Sequence, residues 1–247
     1  MTMLQVDQCY YETFLLELTV ERNRSVELFP CFFEAYHALQ TEAAKHRNAV
    51  KIEYIFKVTA EEKVLVVVKV LEVNIVEALI DAIGQALRGG ITFSVKCVPL
   101  RGYDGFAHDV LGLEQTVVEN GQQQLSGDHL YWWEFSIEFK DMSFENFVAN
   151  WKEEAAAELG LTSSMELNMD VYKVVAERKV HCFINTPNQE ELDLMTFQLP
   201  IMKSMGNQVQ IHCKSIQHFS DFLNENYYEK TLLKRFLHWC HHFKGSW

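Results

Sequence analysis

Four charged residues occupy predicted strand positions from which they could transfer a proton. Lys57 and Lys173 begin two similar segments of the chain, and Glu17 and Glu138 hold equivalent places in two other strands. A dry cavity raises the pKa of a glutamate and lowers that of a lysine, so such a pair can act as acid and base near neutral pH. The alternative is that these residues form structural ion pairs or lie in water.

Two histidines, His181 and His212, are predicted on the same sheet face, and an imidazole changes its charge near neutral pH. Leu65 and Lys96 stand at the corresponding positions of the first half, so one site would have specialised. Partly buried histidines bonded to carboxylates are the alternative. The predicted catalytic residues are Lys173, His181, His212 and Glu138. The predicted ligand-binding residues are Trp132, Glu134, Ser136, Glu17, Lys57, Phe183 and Gln210.

The sequence predicts neither a cofactor nor a metal site. The segment His238-Trp-Cys-His-His242 has zinc-ligand types, but structural zinc sites draw ligands from two separated segments and no second one is present. The surrounding stretch 227–243 is instead predicted to be an amphipathic helix that docks on the barrel or on a partner chain, which would give a homodimer. Phosphate-binding glycine loops, GxGxxG, HExxH and GxSxG are absent, so the sequence gives no support to a kinase, dehydrogenase or serine hydrolase function.

An internal repeat supplies the elements that must position these residues. Residues 57–64 and 173–180 are identical at six of eight positions, at an offset of 116, and the same offset pairs Cys97 with Cys213. Alternating and helical patterns in each copy give the order βαββαβ. Helices are predicted over 27–46, 75–87 and 142–159, the last ending at Gly160, and another after Pro187. We predict repeats at 8–100 and 129–219, an exposed connector at 101–128 and a C-terminal helix at 220–247.

The predicted fold is α+β: two tandem ferredoxin-like repeats whose sheets close into one α+β barrel within a single chain. Both helices of such a repeat cover one sheet face, so the other must meet solvent or another surface. Tyr131, Trp133 and Phe135 are predicted under the helices. The opposite face mixes large apolar and ionisable groups, as a partly wet ligand cavity requires. Lys57, Val171 and Lys173 are assigned to that helix-free face, and a solvated sheet surface is the alternative.

The second copy resembles muconolactone isomerase and the dimeric α+β barrel proteins around it. The resemblance covers 130–219 and rests on Val171-Tyr-Lys-Val-Val, Phe183-Ile-Asn-Thr-Pro-Asn-Gln-Glu-Glu-Leu and Phe197-Gln-Leu-Pro-Ile-Met. It implies proton transfer on an enol-lactone without metal or cofactor, with the acidic helix residue at Glu153 or Glu154 and the basic strand residue at Lys173. Chlorite-dismutase-like proteins also fuse two such units, which would imply haem with His181 or His212 as axial ligand.

The amino-acid composition limits the kinds of partner that we expect the protein to bind. The net charge of −12 opposes binding to phosphate backbones, so we expect no nucleic-acid partner. No apolar run is long enough to span a bilayer and no signal peptide is recognisable, so we expect a cytoplasmic protein with reduced cysteines and no membrane contact. The predicted function is that of a cofactor-free isomerase or cyclase acting on a small, partly apolar carbonyl or lactone compound in the barrel lumen. The alternatives are a non-catalytic protein that binds a small organic ligand or a partner, and a haem protein.

Overall fold

A computed structural model describes residues 10–21, 28–87, 92–114, 125–127, 129–163 and 168–226. The strands are β1 (Glu12–Glu21), β2 (Val50–Val58), β3 (Lys63–Val70), β4 (Thr92–Gly102), β5 (Leu130–Ile137), β6 (Asn168–Val174), β7 (Lys179–Asn185) and β8 (Val209–His218). The helices are α1 (Leu28–Lys45), α2 (Asn74–Ala86), α3 (Tyr103–Asp109), α4 (Phe144–Ser163), α5 (Gln189–Gln198), α6 (Pro200–Met205) and α7 (219–226).

The strands of the described residues form a closed barrel with the hydrogen-bonded order β1-β3-β2-β8-β5-β7-β6-β4. The pairs β2–β3, β4–β6, β5–β7, β5–β8 and β6–β7 are antiparallel. The predicted α+β barrel fold is therefore confirmed. No helix among the described residues is long and apolar enough to cross a membrane.

The chain divides into two compact units. One covers Met1–Leu16 and Lys96–Ile216 and contains α3 to α6, and we call it the second-repeat unit. The other covers Glu17–Val95 and Gln217–Trp247 and contains α1, α2 and α7, and we call it the first-repeat unit. The predicted boundaries at 8–100, 101–128, 129–219 and 220–247 stay predictions, and residues 227–247 lie outside the described part.

The end of α4 differs from the sequence prediction, whereas the start of α5 after Pro187 agrees with it. Gly160 does not end α4, which continues to Ser163, because a single glycine costs a helix only about 1 kcal/mol. In the second repeat, α5 begins beyond Pro187, since the Asn188 side chain accepts a hydrogen bond from the Glu191 amide at 2.8 Å. Asparagine at this position satisfies an amide that the first helical turn leaves without a partner.

The stretch predicted as an exposed connector contains α3 and part of the core. Tyr103, Phe106 and Ala107 are buried in the second-repeat unit, and Leu111 follows them into the same hydrophobic cluster. The sequence prediction rested on the glycine and polar residues of 101–128 as a whole and overlooked these apolar residues. Their spacing of three and four positions places them on one face of a helix. The prediction of an exposed connector was therefore wrong for this part.

The most similar segments of the two repeats fold into identical hairpin turns. In each, a lysine, Lys57 or Lys173, donates from Nζ to the carbonyl oxygen of the following residue at 2.6 Å and to that of the residue four positions on. The turns place Ala60 and Ala176 at φ of 59° and 61°, a conformation that L-residues rarely adopt. The repeated lysine closes the hairpin turn in both repeats. This shared structural role explains why the two segments have nearly the same sequence.

Glycine at either alanine should stabilise the protein. Because glycine has no Cβ and adopts positive φ without a steric cost, we expect Ala60→Gly and Ala176→Gly each to raise the free energy of unfolding by about 0.5–1 kcal/mol. Urea titration monitored by circular dichroism measures the change. Ala156→Gly, on the exposed side of α4, is the matched control and should lose about 1 kcal/mol instead. Equal losses in all three variants would show that the turn alanines carry no strain.

Candidate functional site

The repeated lysines lie on the helix-covered face of their sheets. Lys173 Nζ stands 5.2 Å from the Phe106 ring centroid and 5.5 Å from that of Trp151, both of which belong to helices. Lys57 lies in the same way over two helix residues of the first-repeat unit. Their assignment to the helix-free face was wrong, as was that of Val171, which packs against the helix-covered core. Strand β6 carries apolar residues on both sides, so its alternation could not reveal which side meets the helices.

The helix-free face of the second-repeat unit carries the other predicted residues in cross-strand rows. Trp132 lies directly opposite Phe183, and Glu134 lies between His181 on one neighbouring strand and His212 on the other. Directly opposed residues point to the same side of a sheet, so these side chains share one face. Ser136 and Gln210 form a further row on that face.

His181 is fully buried and contacts two neighbouring side chains, Trp132 and Glu134. Trp132 donates from Nε1 to His181 Nδ1 at 3.0 Å, and the two rings stack at 5.7 Å. An indole N–H can only donate, so Nδ1 must accept and the ring proton must lie on Nε2. Glu134 Oε2 stands 3.8 Å from the same nitrogen, and its Oε1 lies 3.4 Å from Lys179 Nζ. Here the histidine is neutral and holds the sheet face together.

The four predicted catalytic residues do not converge. Lys173 is on the opposite face, His212 is exposed, and Glu138 is exposed beyond the end of β5. Glu17 forms an ion pair with Lys63 at 3.1 Å, in agreement with the alternative prediction that this glutamate takes part in a structural ion pair. Of the predicted catalytic set, only His181 lies in an enclosed polar contact on the helix-free face.

A different set of titratable groups meets inside the helical layer of the second-repeat unit. Trp151 donates from Nε1 to the Tyr103 hydroxyl at 3.0 Å, and the Glu158 carboxyl group interacts electrostatically with the same hydroxyl. One turn earlier on α4, the buried Glu154 accepts a hydrogen bond from the Ile201 amide at 2.8 Å, at the start of α6. The two glutamates and the tyrosine form a connected group that we call the acid cluster.

Burial changes the proton affinity throughout the acid cluster. Loss of hydration, with the nearby Glu154 charge, raises the pKa of Glu158 to about 8, and burial also raises the pKa of Glu154. Burial and the nearby glutamates hold the pKa of Tyr103 well above its usual value. Glu158 as a residue keeps some exposure, although its carboxyl group is enclosed. At neutral pH the cluster thus holds a protonated carboxylic acid beside a second carboxyl group.

The described residues of the first-repeat unit carry no acid at the two positions that correspond to Glu154 and Glu158. There Lys57 lies over Phe32 and Phe222, which makes Phe32 the counterpart of Trp151 at an offset of 119. The same offset places Ala35 and Leu39 where the second repeat has Glu154 and Glu158. Both residues line an apolar cavity of ≈30 Å³. The fold therefore does not require carboxyl groups at these positions.

Sequence reasoning found part of the acid cluster and missed the rest. The resemblance pointed to Glu153 or Glu154, and the structure buries Glu154 while Glu153 is exposed. Glu158 and Tyr103 were missed. A usable signal was present: Glu154 and Glu158 are like charges four residues apart on the α4 stripe that also carries Trp151, a pairing that destabilises an exposed helix.

The described residues form no metal site, and neither of the two predicted axial histidines has room or shelter for haem. Within the ranges described, no three His, Cys, Asp or Glu side chains come close enough to hold a metal ion. Of the two predicted axial ligands for haem, His181 is enclosed against the Trp132 ring, which leaves no room for a porphyrin beside it. His212 is exposed, where a porphyrin would meet water. We therefore derive no chemistry from haem.

Comparison with known proteins supports the fold. No protein-family model and no curated protein matches the sequence. Chlorite dismutase from Candidatus Nitrospira defluvii in complex with imidazole matches with a TM-score of 0.54 at 10% identity, covering 86% of this chain and 94% of that one. A variant of that enzyme gives a TM-score of 0.55 at 9% identity with the same coverage. The particular likeness to muconolactone isomerase stays a prediction, and at this identity what the chain shares with chlorite dismutases is the α+β barrel fold.

Proposed function

We propose that the protein transfers protons on a small, partly apolar carbonyl compound, without a cofactor, at the acid cluster of the second-repeat unit. One observation carries the proposal: the second repeat has the buried Glu154 and the partly buried Glu158 where the first repeat has Ala35 and Leu39. Burying an ionisable group lowers stability, and perturbed carboxyl groups concentrate at functional sites. The fold does not need these carboxyl groups, and their burial lowers stability. A role in catalysis explains best why they are present.

The two glutamates have complementary roles in this proposal. Glu158, protonated at neutral pH, gives its proton to the carbonyl oxygen, while the Glu154 carboxylate removes a proton from the adjacent carbon, which leaves an enol. Glu154 then returns its proton to a carbon further along the conjugated system, and Glu158 recovers its own from the oxygen. The double bond has moved and both groups have regained their starting states. In this proposal Tyr103 positions Glu158 through the interaction between its hydroxyl and the carboxyl group.

A hydrogen-exchange assay tests the proposal without a known substrate. A panel of small enol-lactones and unsaturated ketones is incubated with the protein in D₂O, and deuterium incorporation at carbon is followed by proton NMR. Glu158→Gln and Glu154→Gln should slow the exchange by about 10²–10⁴-fold, the usual contribution of general acid–base catalysis. Glu153→Gln, an exposed neighbour on the same helix, is the matched control and should leave the rate unchanged. Exchange that no variant slows would contradict the assignment.

A non-catalytic role is the second candidate. The observation that favours it is the burial of Trp132, Phe183, Leu15 and Leu65, which fill the helix-free sheet faces with side chains. A protein of this kind would use its surface, with no internal chemistry. This second candidate function predicts that no compound of the panel incorporates deuterium. It also predicts that the protein binds a partner or a small ligand with an affinity that Glu158→Gln leaves unchanged.

A further inference from the structure

An open groove runs between α1 and α2 on the outside of the first-repeat unit. It measures ≈580 Å³, within the range of pockets that hold ligands or peptide side chains. Ala38, Ala82 and Ala86 contribute small side chains to its lining, and Phe33 is 39% exposed beside them. The other six lining residues are polar or charged: Glu34, His37, Thr41, Glu42, Lys45 and Gln85. An exposed aromatic ring next to a row of alanines is a surface that another segment can cover.

Aromatic contacts lead from the end of the described chain to this groove. In α7, the Phe222 ring stands 6.1 Å from Phe29 and 6.0 Å from Phe32, both on α1. Phe29 in turn lies 6.3 Å from Phe33, which lines the groove. Residue 226 is therefore followed by 21 residues that begin from a helix already packed on α1.

In the second-repeat unit, α3 is the helix that corresponds to α7, and the structure describes the residues that follow it. After α3, Leu111 is buried in the core and Lys152 of α4 donates from Nζ to the Gly112 carbonyl oxygen at 2.9 Å. The offset that pairs Trp151 with Phe32 also pairs Lys152 with Phe33. At the repeat offset of 116, Leu111 and Gly112 correspond in sequence to Tyr227 and Tyr228, which follow α7 directly.

The composition of 227–247 matches the groove. Its apolar residues Leu232, Leu233, Phe236 and Leu237 repeat at helical spacing. Four lysines and arginines stand against a single acid, Glu229, whereas the groove lining carries two glutamates and one lysine, and that lysine, Lys45, pairs with Glu42 and leaves Glu34 as the acid that no lysine of the lining pairs with. At 1.5 Å per residue a helical segment of this length would span roughly 30 Å, long enough to follow α1.

We propose that residues 227–247 dock along the groove between α1 and α2 of their own chain, with the apolar face over the alanines and the basic residues towards Glu34 and Glu42. The covalent link to α7 gives the segment an effective concentration of about millimolar at this surface, so even a weak contact stays occupied. This selects docking on the same molecule over the partner chain that the sequence left open.

Hydrogen exchange of the full-length protein, followed by mass spectrometry over 227–247, tests the docking. We expect these amides to be protected about tenfold or more in the native protein. Ala86→Arg blocks the groove and should remove most of that protection, whereas Asp81→Arg, exposed on the same helix and outside the groove, should keep it. Circular dichroism establishes that both variants remain folded.

A charge exchange provides a second test that leaves the alanine floor intact. Glu34→Lys with Glu42→Lys should reduce protection by about threefold, as expected for exposed ion pairs, and adding Lys234→Glu with Arg235→Glu should restore it. Three results would overturn the proposal: no protection in the native protein, protection that Ala86→Arg leaves intact, or protection that grows with protein concentration while sedimentation velocity shows a dimer. The last would assign the groove to a second copy.

Discussion

Glu158→Leu should raise the free energy of unfolding by about 2–4 kcal/mol at pH 8, because it removes a carboxyl group that resists ionisation in the folded protein. Leu39 shows that leucine is accommodated at the matching place of the first repeat. Below the ordinary glutamate pKa of 4.5, Glu158 carries its proton in both states. Between pH 4.5 and about 8 the unfolded chain loses that proton while the folded chain keeps it. Stability should therefore fall as pH rises through this window, and the variant should lack most of that fall.

Guanidinium titrations at pH 5, 6.5 and 8 give the required free energies. The gain in Glu158→Leu should shrink towards pH 5, which lies close to the ordinary glutamate pKa of 4.5, below which the folded and unfolded states carry the same proton. Glu153→Gln, exposed one residue before Glu154, should follow the native curve at every pH. A variant whose stability differs from the native protein by the same amount at all three pH values would show that Glu158 titrates normally. Taken with the deuterium-exchange assay, a more stable and less active variant is the signature of a catalytic acid.

Lys173→Met should lower the free energy of unfolding by about 2–4 kcal/mol, since it leaves two turn carbonyl oxygens without their donor and removes a cation from two aromatic rings. Methionine keeps most of the apolar stem, so the loss reports the ammonium group itself. Lys57→Met removes the same contacts from the first repeat and should lose a similar amount. Urea unfolding monitored by tryptophan fluorescence measures both.

Lys203→Met is the control for this pair, because Lys203 is exposed on α6 and should change stability by less than about 0.5 kcal/mol. Burial lowers the pKa of Lys173 from 10.5 to about 8. The folded state therefore gains stability as pH rises from 8 towards 10.5, and this gain should vanish in Lys173→Met. If Lys173→Met unfolds like the native protein, the lysine does not close the turn, and its repeated sequence needs another cause.

The repeat made the fold predictable. Six identities in eight residues fixed the register of the two copies, and local patterns then gave each strand and helix its place. The same signal misled the search for a site. Lys57 and Lys173 are repeated because each closes a hairpin turn beneath aromatic rings, whereas the acid cluster differs between the copies. Identity between repeats marks what the fold needs, so it cannot reveal what only one repeat does.

Strand faces were predictable only where the two sides differ in polarity. In β5 the aromatic residues Tyr131, Trp133 and Phe135 alternate with Glu134 and Ser136, and their predicted burial under helices is correct. In β6, by contrast, each side carries both polar and apolar residues, so the alternation offered no reason to place Lys173 under α4.

The sequence alone determined that this chain duplicates one βαββαβ unit, because hydrogen-bonding periodicity and turn chemistry are local properties that neighbouring residues already express. Tertiary structure decided which ionisable groups lose their water. Glu153 and Glu154 are adjacent and chemically alike, yet only Glu154 is enclosed and hydrogen-bonded to the amide of Ile201, 47 residues away. A pKa depends on the groups that surround a side chain in space, and those groups come from segments whose meeting no local pattern encodes.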